Sequence, residues 1–527
     1  MSDNRRRLRW SLTTVLLVLT SACVITGPAI SPTATQSPTT ATHTAVPSAT
    51  TESTATATHT LPTPTATAEP TPLPTETPHL PTATPESTRP SSTATPAASP
   101  PPVTGELAVY QTTITLQSYG WEEAQVPSTP DQPFYPYPAL NFDAVTGPAP
   151  RTYQVIVLEN AYVRVTVMPA LGGRVLSWDD KITGQRLTYR NPVIKPTHWG
   201  YRGWWLATGG LEWAFPVNEH GLNEYRPWQF ELLSGDGWRG VRVWDTDDRT
   251  GMTIAVTLRI SAGSSALVVA PWLANPTDEP HALQFWINAM LTLSDSNAPS
   301  PALRFWVPTE TMMVHSTGDG SLPAPRSLID WPVHAGRDFS RYSEWRQYLG
   351  LFATEALGAA GAYDEASDQG VVRTYPPQTA PGVKIFCLGD LSSDLYTDGN
   401  SRYFEFWGGL NRTFFPEDDV TLAPGGTIAW EERWYPVHGI GTLSWAGDHL
   451  AVALKPMGDG VDVGLYAPRR TGDLSLHLSQ DGVESAAWTI DTLRPEQPFR
   501  VHHAGTAETW QLQIWHAGSL LTTVTAP

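Results

Sequence analysis

Apolar and polar positions alternate along the chain from residue 106 onward, which predicts β-strands rather than helices. Val163, Val165 and Val167 alternate with other residues and are expected on one face of a strand. Further strands are predicted at residues 241–244, 253–260, 266–273 and 283–290. Turn residues at 275–280 predict a hairpin between the last two of these strands. Because no segment has a sustained helical period with caps, the pattern favours an all-β sandwich.

A second group of short apolar segments follows a boundary that the sequence places near residues 436–442. These segments lie at residues 450–454, 461–466, 474–478, 487–489 and 512–515. About 85 residues of short strands suit a small sandwich of the immunoglobulin type. The folded part is therefore predicted to comprise a larger sandwich at residues 104–439 and a small C-terminal β-sandwich at residues 440–527.

The segment before the folded part, residues 24–103, consists almost entirely of Thr, Pro, Ser and Ala. Large apolar side chains are nearly absent, so no core can offset the loss of chain entropy on folding. We expect a disordered linker, kept extended by its prolines, with a reach on the order of 100–200 Å.

The first residues have the order of a secretory signal: several arginines, a short apolar run and small residues directly before Cys23. The apolar run at 10–19 is about half the length that a bilayer span requires. A cysteine in this place fits the lipobox pattern, although Thr20 stands where leucine is usual. Residues 1–23 are therefore predicted to be a lipoprotein signal peptide, with an ordinary secretory signal and an uncleaved anchor helix as alternatives. We expect Cys23 to carry a lipid that anchors the exported protein to the membrane at the cell surface.

Charge and cysteine content narrow the classes of partner. The 527-residue chain has a formal net charge of −18, and its acidic residues are spread through the folded part. Without a basic stripe, nucleic acid is not an expected partner. Cys387 is the only cysteine besides Cys23; it lies in the apolar run 383–388 and is expected to be buried. No Cys/His spacing indicates zinc, and no cofactor is expected. The acidic residues at 179–180 and 417–419 are more simply solvated turns than calcium sites.

Tryptophan is unusually frequent, with 22 copies, and five aromatic residues lie within residues 199–213. Large sandwich cores explain such residues without any ligand. The alternative is a sugar-binding platform, because the apolar face of a pyranose ring stacks on an indole while polar neighbours contact the hydroxyl groups.

Several sequence blocks occur in an order that resembles a known family. The first block, residues 165–177, reads VTVMPALGGRVLS, and Gly172-Gly173-Arg174 connects two strands in it. Later blocks are NPVIKP at 191–196, GGLE at 209–212, PGVKIF at 381–386, YFE at 403–405, GG at 408–409, and LAPG at 422–425 followed by WYP at 434–436. The set resembles the galactose mutarotase-like superfamily and, within it, a bacterial family of unknown function that often carries tetratricopeptide repeats. The resemblance covers about residues 106–439, and here a β module replaces the repeats.

The resemblance implies a large β-supersandwich that binds carbohydrate in a groove across one sheet. It also implies a glutamate and a histidine as a proton-transfer pair, because opening a sugar ring needs a base at the anomeric hydroxyl and an acid at the ring oxygen. The candidates are Glu405, then Glu212, with His220 or His198. The superfamily histidine that follows an asparagine has no equivalent after Asn288, which argues against a standard aldose epimerase.

Further candidates would contact the sugar through charge or stacking. They are Arg174, Lys195, Trp204, Trp205, Trp213 and Trp407. Each has a structural alternative: a core position for the tryptophans, a hydrogen-bonding or salt-bridging role for the cations and carboxylates, and a solvated loop for the histidines.

Three functions remain open. A carbohydrate-active enzyme of epimerase, hydrolase or lyase type predicts a groove where Glu405 and Glu212 converge with a histidine. A non-catalytic glycan-binding lipoprotein predicts a shallow aromatic shelf without an acid–base pair. A structural envelope protein predicts no groove. The sequence favours carbohydrate handling and leaves the sugar, the linkage, the reaction and the oligomeric state open.

Overall fold

The computed structural model describes residues 105–294 and 296–527. The predicted signal peptide, the lipid site Cys23 and the predicted linker 24–103 lie outside these residues. Among the residues described, no helix is long and apolar enough to cross a membrane.

Strands account for nearly all regular structure in the described part. Those before residue 440 are β1 Ala108–Gly120, β2 Gln125–Val126, β3 Ala139–Leu140, β4 Thr146–Glu159, β5 Val163–Met168, β6 Arg174–Asp180, β7 Arg190–Thr197, β8 Trp205–Ala214, β9 Gln229–Gly235, β10 Trp238–Thr246, β11 Thr253–Ser261, β12 Leu267–Ala274, β13 His281–Leu283, β14 Trp286–Leu291, β15 Leu303–Trp306, β16 Thr311–Thr317, β17 Leu328–Asp330, β18 Val333–His334, β19 Arg337–Asp338, β20 Leu349–Ala353, β21 Ala359–Asp364, β22 Gln369–Thr374, β23 Gly382–Cys387, β24 Phe404–Gly409, β25 Val420–Leu422, β26 Thr427–Ala429 and β27 Glu432–His438. Those after it are β28 Trp445–Ala446, β29 Ala451–Met457, β30 Gly460–Tyr466, β31 Thr471–Gln480, β32 Val483–Leu493, β33 Phe499–Ala504, β34 Trp510–His516 and β35 Ser519–Ala526. Short 3-10 helices lie at Phe142–Ala144, Tyr342–Glu344, Ser393–Leu395 and Pro416–Asp418.

Two large sheets form the main sandwich. The first has twelve strands in the order β17-β16-β20-β23-β24-β14-β8-β6-β5-β4-β1-β7. The second has the order β15-β21-β22-β27-β12-β11-β10-β9, with β26 beside β12. One apolar cluster takes buried residues from both sheets, such as Val165 and Phe406 from the first and Val256 and Trp434 from the second. The predicted all-β supersandwich is confirmed, as is the placement of Val163, Val165 and Val167 together in its core.

Part of the first sheet closes into a ring of six strands, because β7 pairs with β1 on one side and with β8 on the other. Each strand of the ring, β1, β4, β5, β6, β7 and β8, contributes to a second apolar cluster. Trp204 and Trp121 belong to this cluster, with their ring centroids 5.9 Å apart. The ring therefore has its own core beside the site described below.

The predicted hairpin across residues 275–280 is wrong. Strand β12 pairs with β11, β26 and β27 of the second sheet, β13 pairs with β25, and β14 pairs with β8 and β24 in the first sheet. The side-chain amide of Asn275 donates to the carbonyl oxygens of Glu279 and Leu422, which holds this crossing between sheets. Residues Trp286–Leu291 are all buried, and a strand buried on both faces belongs in a sheet centre rather than in a surface hairpin.

The C-terminal strands form two four-stranded sheets with the orders β28-β29-β30-β33 and β32-β31-β34-β35. A separate core fills the space between them, which confirms a small β-sandwich after the larger one. A further buried cluster combines Tyr435 and Val437 of β27 with Tyr466 and Ala453 of this sandwich. The domain boundary at residues 439 and 440 itself stays a prediction.

Candidate functional site

A double glycine bends β8 and creates the local geometry of the candidate site. Gly209 and Gly210 have φ angles of +93° and +80°, which only glycine adopts readily. A Cβ atom at Gly210 would lie 1.9 Å from the carbonyl oxygen of Val175. After the bend, residues 210–214 pair with β14, whereas residues 205–207 pair with β7. The bend brings Trp205 back towards Glu212, and its indole Nε1 donates to Glu212 Oε2 at 3.0 Å.

Strand register places several polar side chains on one face of the first sheet. Glu212 on β8 and Trp407 on β24 are both paired with Asn288 on β14. Lys384 on β23 is in turn paired with Trp407. Because side chains alternate between faces along a strand, Glu405 lies on the same face as Trp407. We call Glu212, His220, Asn288, Lys384 and Glu405 the polar cluster.

Glu212 is held by four contacts. Its Oε1 accepts from Asn288 Nδ2 at 3.2 Å and lies 2.6 Å from His220 Nδ1. Its Oε2 accepts from Trp205 and lies 3.3 Å from Nη1 of Arg174. Burial opposes ionisation of Glu212, but the adjacent His220 and Arg174 charges outweigh it and lower its pKa. Glu212 is therefore a fixed, ionised carboxylate suited to orienting its neighbours.

His220 reaches the sheet from the loop that follows β8. The loop turns through residues with positive φ, Glu219 at 55° and Gly221 at 71°. The imidazole stacks on Trp205, with 4.0 Å between ring centroids and 19° between planes. Burial disfavours the charged imidazole, but Glu212 and, more weakly, Glu405 raise its pKa. Within the described part, the second ring nitrogen, Nε2, makes no hydrogen bond.

Glu405 has the opposite electrostatic behaviour to Glu212. Its Oε2 accepts from Trp407 Nε1 at 2.9 Å, and its Oε1 accepts from Asn288 Nδ2 at 3.4 Å. Burial raises the pKa of Glu405, although the charges of His220 and Lys384 partly counteract it. Two carboxyl groups joined through Asn288 thus have pKa values shifted in opposite directions, an arrangement that separates an orienting carboxylate from a proton-transfer group.

Lys384 and Asn288 complete the cluster and were missed as candidates from the sequence. Lys384 is buried among aromatic rings, and its ammonium group lies 4.1 Å from the Phe414 centroid and 4.5 Å from the Trp407 centroid. Burial lowers the pKa of Lys384 to about 8. The sequence could have identified Lys384, because it is the one charged residue in the apolar run 383–388 and burying a charge in such a strand is costly.

The structure brings together six of the ten predicted site residues and places four elsewhere. Around Glu212 it assembles Glu405, His220, Arg174, Trp205 and Trp407. Arg174 is fully buried and also donates to the carbonyl oxygens of Leu171 and Glu224, so it is a structural member of the site.

The other four predicted residues have contacts outside the cluster. Trp213 lies on the opposite face of β8, in the sandwich core, and donates to the Gly173 carbonyl. Trp204 lies in the core of the strand ring and donates to the Pro138 carbonyl. Lys195 pairs with Asp398 at 2.8 Å, and His198 stacks on Phe142 at 3.7 Å.

Access to the polar cluster is narrow. His220 is 9% exposed and Glu405 is 5% exposed, whereas Lys384 is 3% exposed. Trp204, Trp205, Trp213 and Trp407 are each 1% exposed, so none presents an indole face to solvent. His220 and Glu405 are thus the members of the polar cluster with the largest exposed fractions.

An open cavity of about 690 Å³ lies away from the cluster, at the ends of β4, β5 and β6. Its lining includes Arg164, Asp179, Asp180, Lys181 and Arg186. These cations are already paired with carboxylates, Arg186 with Asp179 at 2.8 Å for instance. The expectation of a solvated turn is wrong for Asp180, which is buried and lies 3.0 Å from His438 Nδ1.

Metal binding has no support in this part of the chain. Among residues 105–294 and 296–527, no group of three or more His, Cys, Asp or Glu side chains could hold a metal ion. Cys387 is buried as expected, and burial raises the pKa of its thiol well above the ordinary value.

Comparisons with known proteins concern the sandwich that carries the cluster. A family model described as "Domain of unknown function (DUF5107)" matches residues 129–437. The fold is similar to that of a TPR-domain containing protein from Parabacteroides distasonis, with 23% identity and a TM-score of 0.55 over 64% of this chain. This chain covers 56% of that protein, slightly more than half its length.

Two further solved structures have lower similarity. One is a galactose mutarotase-like protein from Clostridium acetobutylicum, with 12% identity and a TM-score of 0.39 over 55% of this chain and 96% of that one. The other is a galactose mutarotase-like protein from Lactobacillus casei, with 11% identity and a TM-score of 0.36 over 54% of this chain and 99% of that one. The resemblance predicted from the ordered sequence blocks is confirmed.

Proposed function

This chain belongs to the family described as domain of unknown function (DUF5107), and on that premise we propose that it is a carbohydrate-handling enzyme whose polar cluster opens and recloses the ring of a reducing sugar. The observation that carries the proposal is the convergence of Glu212, His220 and Glu405, two carboxyl groups and an imidazole joined through one asparagine.

The proposed chemistry divides two proton transfers between His220 and Glu405. Glu212 holds His220 through Nδ1 and favours its protonated form, so Nε2–H is the donor directed at the sugar ring oxygen. Glu405 accepts the proton of the anomeric hydroxyl, and because burial raises its pKa, its carboxylate is a stronger base than that of an ordinary glutamate. In the open-chain form, C1 can rotate about the C1–C2 bond. Reversal of both proton transfers then recloses the ring, and some of the molecules form the opposite anomer.

Two alternative functions have less support in the described residues. A glycan-binding surface without catalysis was expected to have a shallow aromatic shelf, and the four candidate tryptophans are 1% exposed. A structural spacer gives no reason for two buried carboxyl groups with oppositely shifted pKa values on the two strands that flank β14. The convergent cluster favours the enzyme.

The proposed location rests on the sequence. A lipid on Cys23 and an extended linker over residues 24–103 would hold the sandwich outside the cell, at a distance from the membrane. In that place the natural substrate would be an external carbohydrate, such as the reducing end of an oligosaccharide.

The proposal is tested by anomeric exchange in nuclear magnetic resonance spectra. The full-length chain is mixed with a panel of free aldoses and reducing oligosaccharides, and the exchange rate between α and β anomers is measured. The wild type should accelerate the exchange, and Glu405→Gln and His220→Gln should lose this acceleration. Glu431→Gln is the control: it changes an exposed carboxylate directly before β27 and should leave the exchange rate unchanged. No acceleration with any sugar, or equal rates in all three variants, would disprove the proposal. A parallel assay for released reducing ends detects hydrolysis instead.

A further inference from the structure

Lys384 differs from every other lysine of the protein. The chain has four lysines, all within the described residues. Lys181 pairs with Glu159 at 2.7 Å, Lys195 with Asp398 at 2.8 Å and Lys455 with Glu365 at 3.0 Å. Lys384 makes no ion pair or hydrogen bond with any described residue, although it is 3% exposed. Burying an amine without an ionic partner is costly, which makes Lys384 a candidate for a chemical role.

The surroundings of Lys384 are apolar in contact and acidic at longer range. Besides Phe414 and Trp407, the rings of Phe386 and Phe352 lie with centroids 5.2 and 5.9 Å from its amine. Lys384 and Glu405 lie on the same sheet face, on the adjacent strands β23 and β24. The amine is therefore placed next to the group assigned above as the base for ring opening.

We propose that the amine of Lys384 forms an imine with the open-chain aldehyde of a reducing aldose in this site, an inference that rests on the ring opening proposed above. The aldehyde is the product of that ring opening, so it is generated beside the amine. The ligand class is accordingly an aldose with a free reducing end.

The step balances without an external oxidant or reductant. The lone pair of the neutral amine attacks C1, a C–N bond forms, and the C=O π electrons move to the oxygen, which takes a proton from His220 or Glu405. In the resulting carbinolamine, the positively charged nitrogen gives up one of its protons to the hydroxyl group. The hydroxyl group then leaves as water with the C–O electron pair, and the nitrogen forms the C=N bond of the protonated imine. The protonated imine acidifies the C2–H bond, which is the condition for epimerisation at C2 or for aldose–ketose exchange.

Electrostatics support this role for the amine. Burial lowers the pKa of Lys384 to about 8, opposed by Glu405 of β24 and Glu219 of the loop. On the β16 side, burial and, to a smaller extent, the charge of Lys384 lower the pKa of His315, so no additional cation faces the amine there at neutral pH. Compared with a lysine in water, whose pKa is about 10.4, the fraction of neutral amine at neutral pH is on the order of a hundredfold larger.

The test traps the imine by reduction. The full-length chain is incubated with a reducing aldose and cyanoborohydride, which converts an imine to a secondary amine and adds the mass of the sugar less one oxygen atom. Peptide mapping then compares the four lysines. We expect Lys384 to be modified at least about tenfold faster than Lys455, with a rate that rises with pH as the amine becomes neutral. An alditol, which has no aldehyde, should give no modification.

Two variants and a parallel measurement keep the outcomes distinct. Lys384→Arg retains the charge but cannot form the imine and should lose the fast modification, whereas Lys455→Arg should retain it. Equal modification of Lys384 and Lys455 in the wild type would overturn the inference. Anomeric exchange is measured on the same samples: exchange without preferential modification of Lys384 overturns the imine alone, and absence of both overturns the ring opening as well.

Discussion

Nδ1 of His220 lies 2.6 Å from Oε1 of Glu212, and this contact fixes a loop residue against the centre of the first sheet. Both groups are buried, so each would be costly to ionise alone. Together they shift in the directions that favour the ionised pair, a lowered pKa for Glu212 and a raised one for His220. Glu212 therefore positions the imidazole of His220 and favours its protonated form, whereas His220 and Glu405 carry out the proposed proton transfers.

Glu212→Gln should lower the pKa of His220, because the main charge that favours the imidazolium is removed. The same change leaves Arg174 buried opposite a neutral amide, which should cost about 3–5 kcal/mol of unfolding free energy. Resonances of the His220 ring followed through a pH titration measure the first effect, and urea unfolding measures the second. An unchanged His220 titration would show that Glu212 does not control the imidazole.

Glu405→Gln should separate activity from stability. The acid–base contribution of one side chain is about 10²–10⁴-fold in rate, and we expect a loss in that range for anomeric exchange. The pKa of Glu405 is raised in the folded state, so wild-type stability falls as pH rises from about 4.3, the usual unfolded value, through the folded pKa. The glutamine variant lacks this loss, so its stability relative to the wild type should increase as the pH is raised above about 4.3. Urea unfolding of both proteins over a series of pH values measures the effect, and a stability difference that does not change with pH would contradict this assignment.

The sequence predicted those parts of the site that depend on local pattern. Alternation placed Val163, Val165 and Val167 on one face of a strand, which lies in the core, and Glu212 of the block at 209–212 was a candidate for the site. The same alternation implies that Trp213, the next residue after Glu212 in the strand, faces the opposite side of the sheet, as it does.

Other features depend on contacts between distant segments and could not be predicted from one sequence. Lys384, Asn288 and Glu212 lie on three strands whose register is set by pairing across the sheet. Trp204 lies in the core of the strand ring, which closes only because β7 also pairs with β1, a strand far from it in sequence. The crossing at 275–280 resembles a hairpin turn locally, and only the burial of β14 on both faces rules the hairpin out.

Gly210→Ala should disrupt the bend of β8. The new Cβ would lie 1.9 Å from the Val175 carbonyl oxygen at a φ of +80°, so we expect a loss of about 4 kcal/mol or more of unfolding free energy. Gly184→Ala is the matched control, because Gly184 has a φ of +75° with open space around its Cβ and should cost only about 1–2 kcal/mol. Similar costs for the two variants would mean that backbone strain, and not the close approach, makes glycine necessary at Gly210.

Removal of residues 440–527 should leave the larger sandwich insoluble or without a cooperative unfolding transition. The cut exposes Tyr435 and Val437, which share a buried cluster with Tyr466. It also removes the acceptor of the Tyr435 hydroxyl, the Gly447 carbonyl at 2.7 Å, and the Tyr466 hydroxyl 2.8 Å from Ser265 Oγ. Solubility and calorimetric unfolding of the truncated chain measure the effect. A soluble product with the wild-type melting temperature would show that the larger sandwich is independent of the C-terminal one.

Cys23→Ser should release the protein from the membrane fraction, because a hydroxyl group cannot form the thioether bond that holds the lipid. Cys387→Ser is the control, since its thiol is buried in β23 and far in sequence from the predicted signal peptide. Cell fractionation followed by detection of the C-terminal part measures the distribution of wild type and both variants.

If an uncleaved apolar helix were the anchor, Cys23→Ser would stay in the membrane fraction and keep the full-length mass. If the segment were an ordinary secretory signal, the wild type itself would be found in the soluble extracytoplasmic fraction. Only lipidation predicts a membrane-bound wild type, a released Cys23→Ser variant and an unaffected Cys387→Ser variant.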